Sequence, residues 1–307
     1  MSSIARKLVL SVVAVLLSVL AFGTTTFAWF TITNVSEVQP FESDVVTDNG
    51  IEVSLDGITW VTSLTTEMID AYIAAQYPSG FAFNHVTTTT GYSNFMTLST
   101  LGVTDDGTAS VLRLNLLFRS NNANAIEWTN VSLLGTTATW ISDVSFTRSS
   151  DVGGTAVLSS GSVSVNPANA MRISILGNHL SDSVVIYELP DGGNSGAYNS
   201  ALGGDGVTPV DLSNAGIGDP GSYNYYFQKT GALITGTDAV VTPSTVTLVN
   251  SLNTQLVLHM TVDSTYDTTY WGQISIRIWF EGWDAEAYNS LLGRMITTSF
   301  SFEGTTV

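Results

Sequence analysis

The stretch Gln273-Ile-Ser-Ile-Arg-Ile-Trp-Phe280 decides the fold class. Ile274, Ile276, Ile278 and Phe280 alternate with Gln273, Ser275 and Arg277, a period of two that puts the apolar side chains on one face of a β-strand. The pattern recurs outward from there. Leu112, Leu114, Leu116 and Phe118 alternate with Arg113, Asn115 and Arg119, and Met171, Ile173 and Ile175 with Arg172 and Ser174. Leu256, Leu258, Met260 and Val262 alternate with Gln255, His259 and Thr261, and Ile296, Thr298, Phe300 and Phe302 close the chain. Residues 126–134 and 155–165 read as further strands. One apolar and one mostly polar face per strand predicts antiparallel sheets packed on one side. Many such strands with Gly and Asn turns predict an all-β, antiparallel, jelly-roll-like β-sandwich with one or two short helices.

The first helix is expected where Thr65 or Thr66 can cap, Glu67 and Asp70 sit in the first turn, and Met68, Ile69, Tyr72, Ile73 and Gln76 follow at helical spacing before Pro78. It is expected to cover an open end of the sandwich. In the C-terminal block WGQISIRIWFEGWDAEAYNSLLG (271–293), Gly282 permits a sharp turn, Asp284 caps a second helix with Ala287, Tyr288, Leu291 and Leu292, and Gly293 ends it. Trp279 and Trp283 could stack on a ligand, but core and edge packing is the favoured use. Residues 51–55 form a short strand, Asp56-Gly57 a hairpin turn and 58–61 its return, while 39–50 connect it to what precedes. Residues 189–222 carry nine glycines together with Asp191, Asp205, Asp211 and Asp219. That is too long for a hairpin, so it reads as an exposed insertion within a single domain spanning 39–307.

Arg6 and Lys7 precede a 15-residue apolar-rich run, Leu8–Phe22. A signal peptide core has this length, whereas a spanning helix needs about 20 residues. Thr26-Phe27-Ala28 places small residues where a signal peptidase reads them. Residues 1–28 are therefore expected to be a signal peptide cut between Ala28 and Trp29, with an uncleaved anchor over 8–30 as the alternative. The new N-terminus, Trp29 to Val38, has the pattern of a strand. Phe30, Ile32 and Val38 share one face, and Trp29, Thr31, Thr33 and Val35 lie on the other. Such a strand has to pair, either in its own sheet or in a neighbouring subunit's.

The 307 residues are 44% hydrophobic, enough for a substantial core, and only 11% charged. Net charge is −17, and cleavage after Ala28 would take it to −19 because the two charged residues removed are both basic. Lys229 would be the one lysine left. This charge argues against nucleic acid and anionic membranes as partners, because phosphate binding needs clustered Lys and Arg. Membrane contact is expected only through the signal segment before cleavage. The absence of cysteine excludes disulfides, thiolate catalysis and Cys-based metal sites.

Nothing in the residues announces catalysis. His85, His179 and His259 are far apart in sequence, with no HExxH, and each is expected to be structural. There is no G-x-S-x-G elbow, no phosphate loop with a lysine and no dinucleotide fingerprint. Asp105-Asp106 and Glu281/Asp284 fall in turns, where acids are common. No cofactor is expected; calcium is the one cation the Asp191–Asp219 loop could suit, although no EF-hand spacing is present.

The strand–EGWDAEAYN–helix–strand ending, and the opening in which a signal segment leads into TTTFAWFTITN and IEVSLDGITW, resemble secreted bacterial surface proteins of the TasA/camelysin class. The specific matches cover roughly Thr24–Val61 and Trp271–Glu303, and the middle agrees only in its β pattern. The resemblance implies a jelly-roll sandwich exported by a signal peptidase. It also implies assembly into extracellular fibres, in the biofilm matrix or on the cell surface, by donation of an N-terminal strand to the next subunit. Some members have been labelled metallopeptidases, a label not carried over here because no zinc motif is recognisable. The expected function is thus a non-enzymatic fibre subunit, a head-to-tail homopolymer whose polymerisation strand is Trp29, Phe30, Thr31, Ile32, Val35 and Val38. The alternatives are a monomeric or membrane-tethered surface adhesin or carbohydrate-binding module, and an extracellular hydrolase.

Overall fold

The computed structural model describes residues 50–81, 83, 85–88, 90–93, 95–97, 103–104, 110–148, 154–189, 221–230, 247–249, 254–281, 284, 286–287, 289 and 296–307. The signal segment, the cleavage site Ala28/Trp29, the candidate polymerisation strand from Trp29 to Val38 and nearly all of the Gly-rich insertion lie outside them.

In chain order the strands are β1 (Ile51–Ser54), β2 (His85–Thr87), β3 (Phe95–Thr97), β4 (Val103–Thr104), β5 (Leu112–Ser120), β6 (Ala125–Gly135), β7 (Ala138–Ile141), β8 (Phe146–Thr147), β9 (Ala156–Val157), β10 (Ser162–Val165), β11 (Met171–Gly177), β12 (Val185–Glu188), β13 (Thr247–Val249), β14 (Gln255–His259), β15 (Thr261–Val262), β16 (Tyr270–Glu281) and β17 (Ile296–Thr305). Two α-helices accompany them, α1 (Thr66–Gln76) and α2 (Ser222–Thr230). The fold is an all-β sandwich of two facing, mainly antiparallel sheets.

The larger sheet is organised on β16, whose 12 residues pair with β11 on one side and β5 on the other. β12 and β13 extend it beyond β11, β1 beyond β5, and β2, β3 and β4 from the far end of β16. β12–β13 and β16–β2 are parallel pairs; the other ladders are antiparallel. The smaller sheet has three strands in the order β14-β6-β17. The apolar faces meet in one core, where the rings of Phe118 and Phe302 lie 5.4 Å apart and those of Trp128 and Tyr187 5.9 Å apart. Along β5 and β17 the buried positions alternate as the sequence predicts.

Two strands differ from the sequence reading. Residues 155–165 are not one strand. Gly161 folds the chain back at Leu158, and β9 and β10 pair with β8 and β7 instead. The run from Gln255 to Val262 is divided between the sheets. β14 pairs with β6, a register shift falls between Leu256 and Leu258, and β15 pairs with β16 of the larger sheet. The bulge turns Leu256 outward and buries Val257 beside Leu258, which lets the chain turn the corner between sheets.

Helix α1 begins as expected, with Thr65 as its N-cap accepting from Met68 N–H. Its position is a correction. Rather than closing an end of the sandwich, it lies along the edge of β5 that β1 leaves open. Tyr77 Oη donates to Val111 O and accepts from Arg113 N–H, and Tyr72 Oη accepts from Asn115 N–H. Two tyrosine hydroxyls thus satisfy backbone groups that would otherwise invite strand addition. The Asp56-Gly57 turn forms as predicted. Asp56 Oδ1 accepts from the N–H groups of Ile58 and Thr59, which pull its carboxyl down to about 2, and Gly57 takes a φ of 73°.

The second α-helix is not the one the C-terminal block predicts. Asp284 does cap a turn, its Oδ1 accepting from Glu286 N–H, but most residues after it lie outside the described set. α2 instead follows the Gly-rich insertion and seats on a small lobe made by β7 to β10. There Tyr225 packs among Phe146, Val157, Val163 and Val165, and its hydroxyl donates to Asp143. Lys229 pairs with the same aspartate. Lys229 therefore helps to anchor a helix.

Candidate functional site

The outer face of the larger sheet is the first surprise. Sequence alternation assigns Arg172, Ser174 and Arg277 to a mostly polar face, yet all three are buried. Val86, Phe95, Val111, Ile186 and Trp279 form a second apolar cluster there, so Trp279 is a core residue. Arg277 lies over the Tyr92 ring at 3.6 Å.

Beside this cluster sits a buried charge network. Arg172 Nε pairs with Glu188 Oε2 at 2.7 Å across the β11–β12 ladder, and its second terminal nitrogen pairs with Asp284 Oδ2 at 3.0 Å. Arg172 also donates to the carbonyls of Asn169 and Met171. Glu286 receives Asn169 Nδ2 at 2.8 Å and Arg148 at 3.3 Å. Burial opposes the Arg172 charge, but Glu188 and then Asp284 outweigh it and raise its titration above the ordinary value. Burial pushes Glu188 up, with Arg172 opposing, and pushes Asp284 up to about 8. One guanidinium shared by two carboxylates leaves this cluster ready to hold a proton.

That proton carries a prediction. From pH 3.8 to about 8 the native state keeps on Asp284 a proton that the unfolded chain has released. Stability is therefore greatest on the acid side of this window and falls as pH rises through it. Denaturant midpoints taken from about pH 5 to about pH 9 should decline, and Asp284→Asn should flatten the decline. An unchanged slope in that variant would place the proton elsewhere.

A second cluster joins two of the scattered histidines. Gly177 ends β11, and the turn that follows carries His179 and Asp182; His259 ends β14. The Asp182 side chain is 1% exposed. Its Oδ2 accepts from His179 N–H and its Oδ1 from His259 N–H, each at 3.0 Å. The same Oδ1 lies 2.7 Å from His259 Nδ1. The two imidazoles are 5.5 Å apart between centroids, and one ligand atom from each of His179, Asp182 and His259 lies within 4.8 Å of the others. Two imidazoles and a carboxylate suit zinc and similar divalent ions better than calcium, which takes oxygen ligands. His179 and His259, far apart in sequence and each expected to be structural, are brought together by the fold. The local signal was His179-x-x-Asp182 in a turn; His259 arrives only through the packing of β14 near β11. Of His85 only the backbone, in β2, is described.

The third feature is an edge. β17 pairs with β6 along its whole length and, among the described residues, takes no strand on its other side. Its inward residues Ile296, Thr298, Phe300 and Phe302 are buried. Comparison with models of known protein families, with curated proteins and with solved structures finds no match.

Proposed function

We propose that the chain is the structural subunit of an extracellular protein fibre, exported and cut at Ala28/Trp29, and that it polymerises by donating Trp29–Val38 to the next subunit. The observation that carries this reading is the three-stranded sheet β14-β6-β17. It faces a much wider sheet, and its ten-residue strand β17 has a strand on one side only among the described residues. An added strand there would extend the core with alternate side chains pointing inward, the usual mode of strand complementation. The guarded β5 edge supports the same reading, because Tyr72 of α1 and Tyr77 just after it block addition at the other sheet. The resemblance of both chain ends to TasA/camelysin-class proteins points the same way.

Electron microscopy of the purified exported protein tests the proposal, together with its intact mass. Fibres built from chains beginning at Trp29 are the expected result. A dispersed monomer at every concentration would instead favour a surface adhesin, and a mass matching the uncut precursor would mean a tethered one.

A further inference from the structure

We propose that His179, Asp182 and His259 form a binding site for a zinc-class divalent cation. This inference holds whether or not the chain polymerises. Three observations set the cluster apart from an ordinary His–Asp hydrogen bond. The carboxylate is oriented by backbone, through the N–H groups of His179 and His259, so its direction does not depend on either imidazole. Metal sites commonly fix their ligands through such outer hydrogen bonds. Gly177 provides the space: a Cβ at that position would lie 2.0 Å from Asp182 Oδ2 and 2.6 Å from the Val257 carbonyl oxygen. A second imidazole also converges on the site. A structural pair between Asp182 and His259 is complete without the His179 ring, yet that ring stands 5.5 Å from its neighbour.

A cation entering here replaces the proton between His259 Nδ1 and Asp182 Oδ1. His179 gives up at most the 3.2 Å bond its Nδ1 accepts from Ser181 N–H. Ligand atoms within 4.8 Å need only a small closure of the turn to reach bonds of about 2.0–2.2 Å. Both imidazoles are partly exposed, so an ion can enter, and three protein ligands leave a coordination position for water. The bound ion would tie the β11–β12 turn of the larger sheet to the end of β14 in the smaller one, where the chain changes sheets.

The test uses the mature protein titrated with zinc, and with cobalt(II) as a visible-absorbing substitute, in excess calcium to occupy the surface carboxylates. One ion per chain, a cobalt spectrum showing nitrogen ligation and a raised melting temperature are expected. His179→Ala should weaken zinc binding by about 100-fold or more, because outer partners alone carry about 10–100-fold. The same variant should keep the metal-free melting temperature, since Asp182 retains its backbone bonds and His259. Folded wild type that fails to saturate with either ion would overturn the proposal. So would zinc binding that survives unchanged in the His179→Ala/His259→Ala double variant.

Discussion

Replacing Arg172 with methionine is expected to cost the fold about 3–5 kcal/mol above about pH 8, where Asp284 has given up its proton, the range found when one partner of a buried ion pair is removed. Methionine fills most of the volume, so a cavity is not the main loss. The loss is electrostatic. Glu188 is 1% and Asp284 0% exposed, and without the guanidinium each carboxylate loses its ion-pair partner. Glu188 Oε1 already lacks a hydrogen-bond partner among the described residues. Both acids can escape the penalty by taking up protons, so the variant should recover part of its stability as pH falls toward about 5. Packing damage would be independent of pH. Urea unfolding of both proteins at several pH values separates the two, and a deficit of the same size at acid and alkaline pH would show that the charge network contributes little.

This network also marks the limit of what was legible in the sequence. Alternation located β5, β16 and β17 because each has one apolar face, and the cap at Thr65 located α1 because helix starts are local. Arg172 defeated the same reasoning. Its position between Met171 and Ile173 makes it the outward residue of a strand, and nothing local says that a turn from residue 284 will cover that face. The His179/Asp182/His259 cluster was hidden for the same reason, since 80 residues separate its imidazoles in sequence and only the approach of β14 to β11 brings them together. The bulge itself left one local trace, Val257, the apolar residue that interrupts the alternation from Gln255 to Val262. Periodicity reports which side of a strand is apolar; it does not report what lies against the other side.

The donor-strand reading makes its strongest claim at Phe30 and Ile32. Exported protein carrying Phe30→Asp with Ile32→Asp is expected to fold, to remain monomeric and to form no fibres. Each aspartate would place a charge where the partner's groove expects an apolar side chain worth roughly 1.5–3 kcal/mol on burial. The carboxylates would have to enter beside Phe300 and Phe302, in a protein already strongly acidic. Loss of the strand would also forfeit its ladder hydrogen bonds, each contributing about 0.5–1.5 kcal/mol net. On this reading the subunit's own core keeps the packing of Phe118 on Phe302 and of Trp128 on Phe300. Circular dichroism and light scattering on the same sample decide the matter. An unfolded or strongly destabilised variant would mean that Trp29–Val38 pairs within its own sandwich. A folded variant that still makes fibres would mean that subunits join through some other surface.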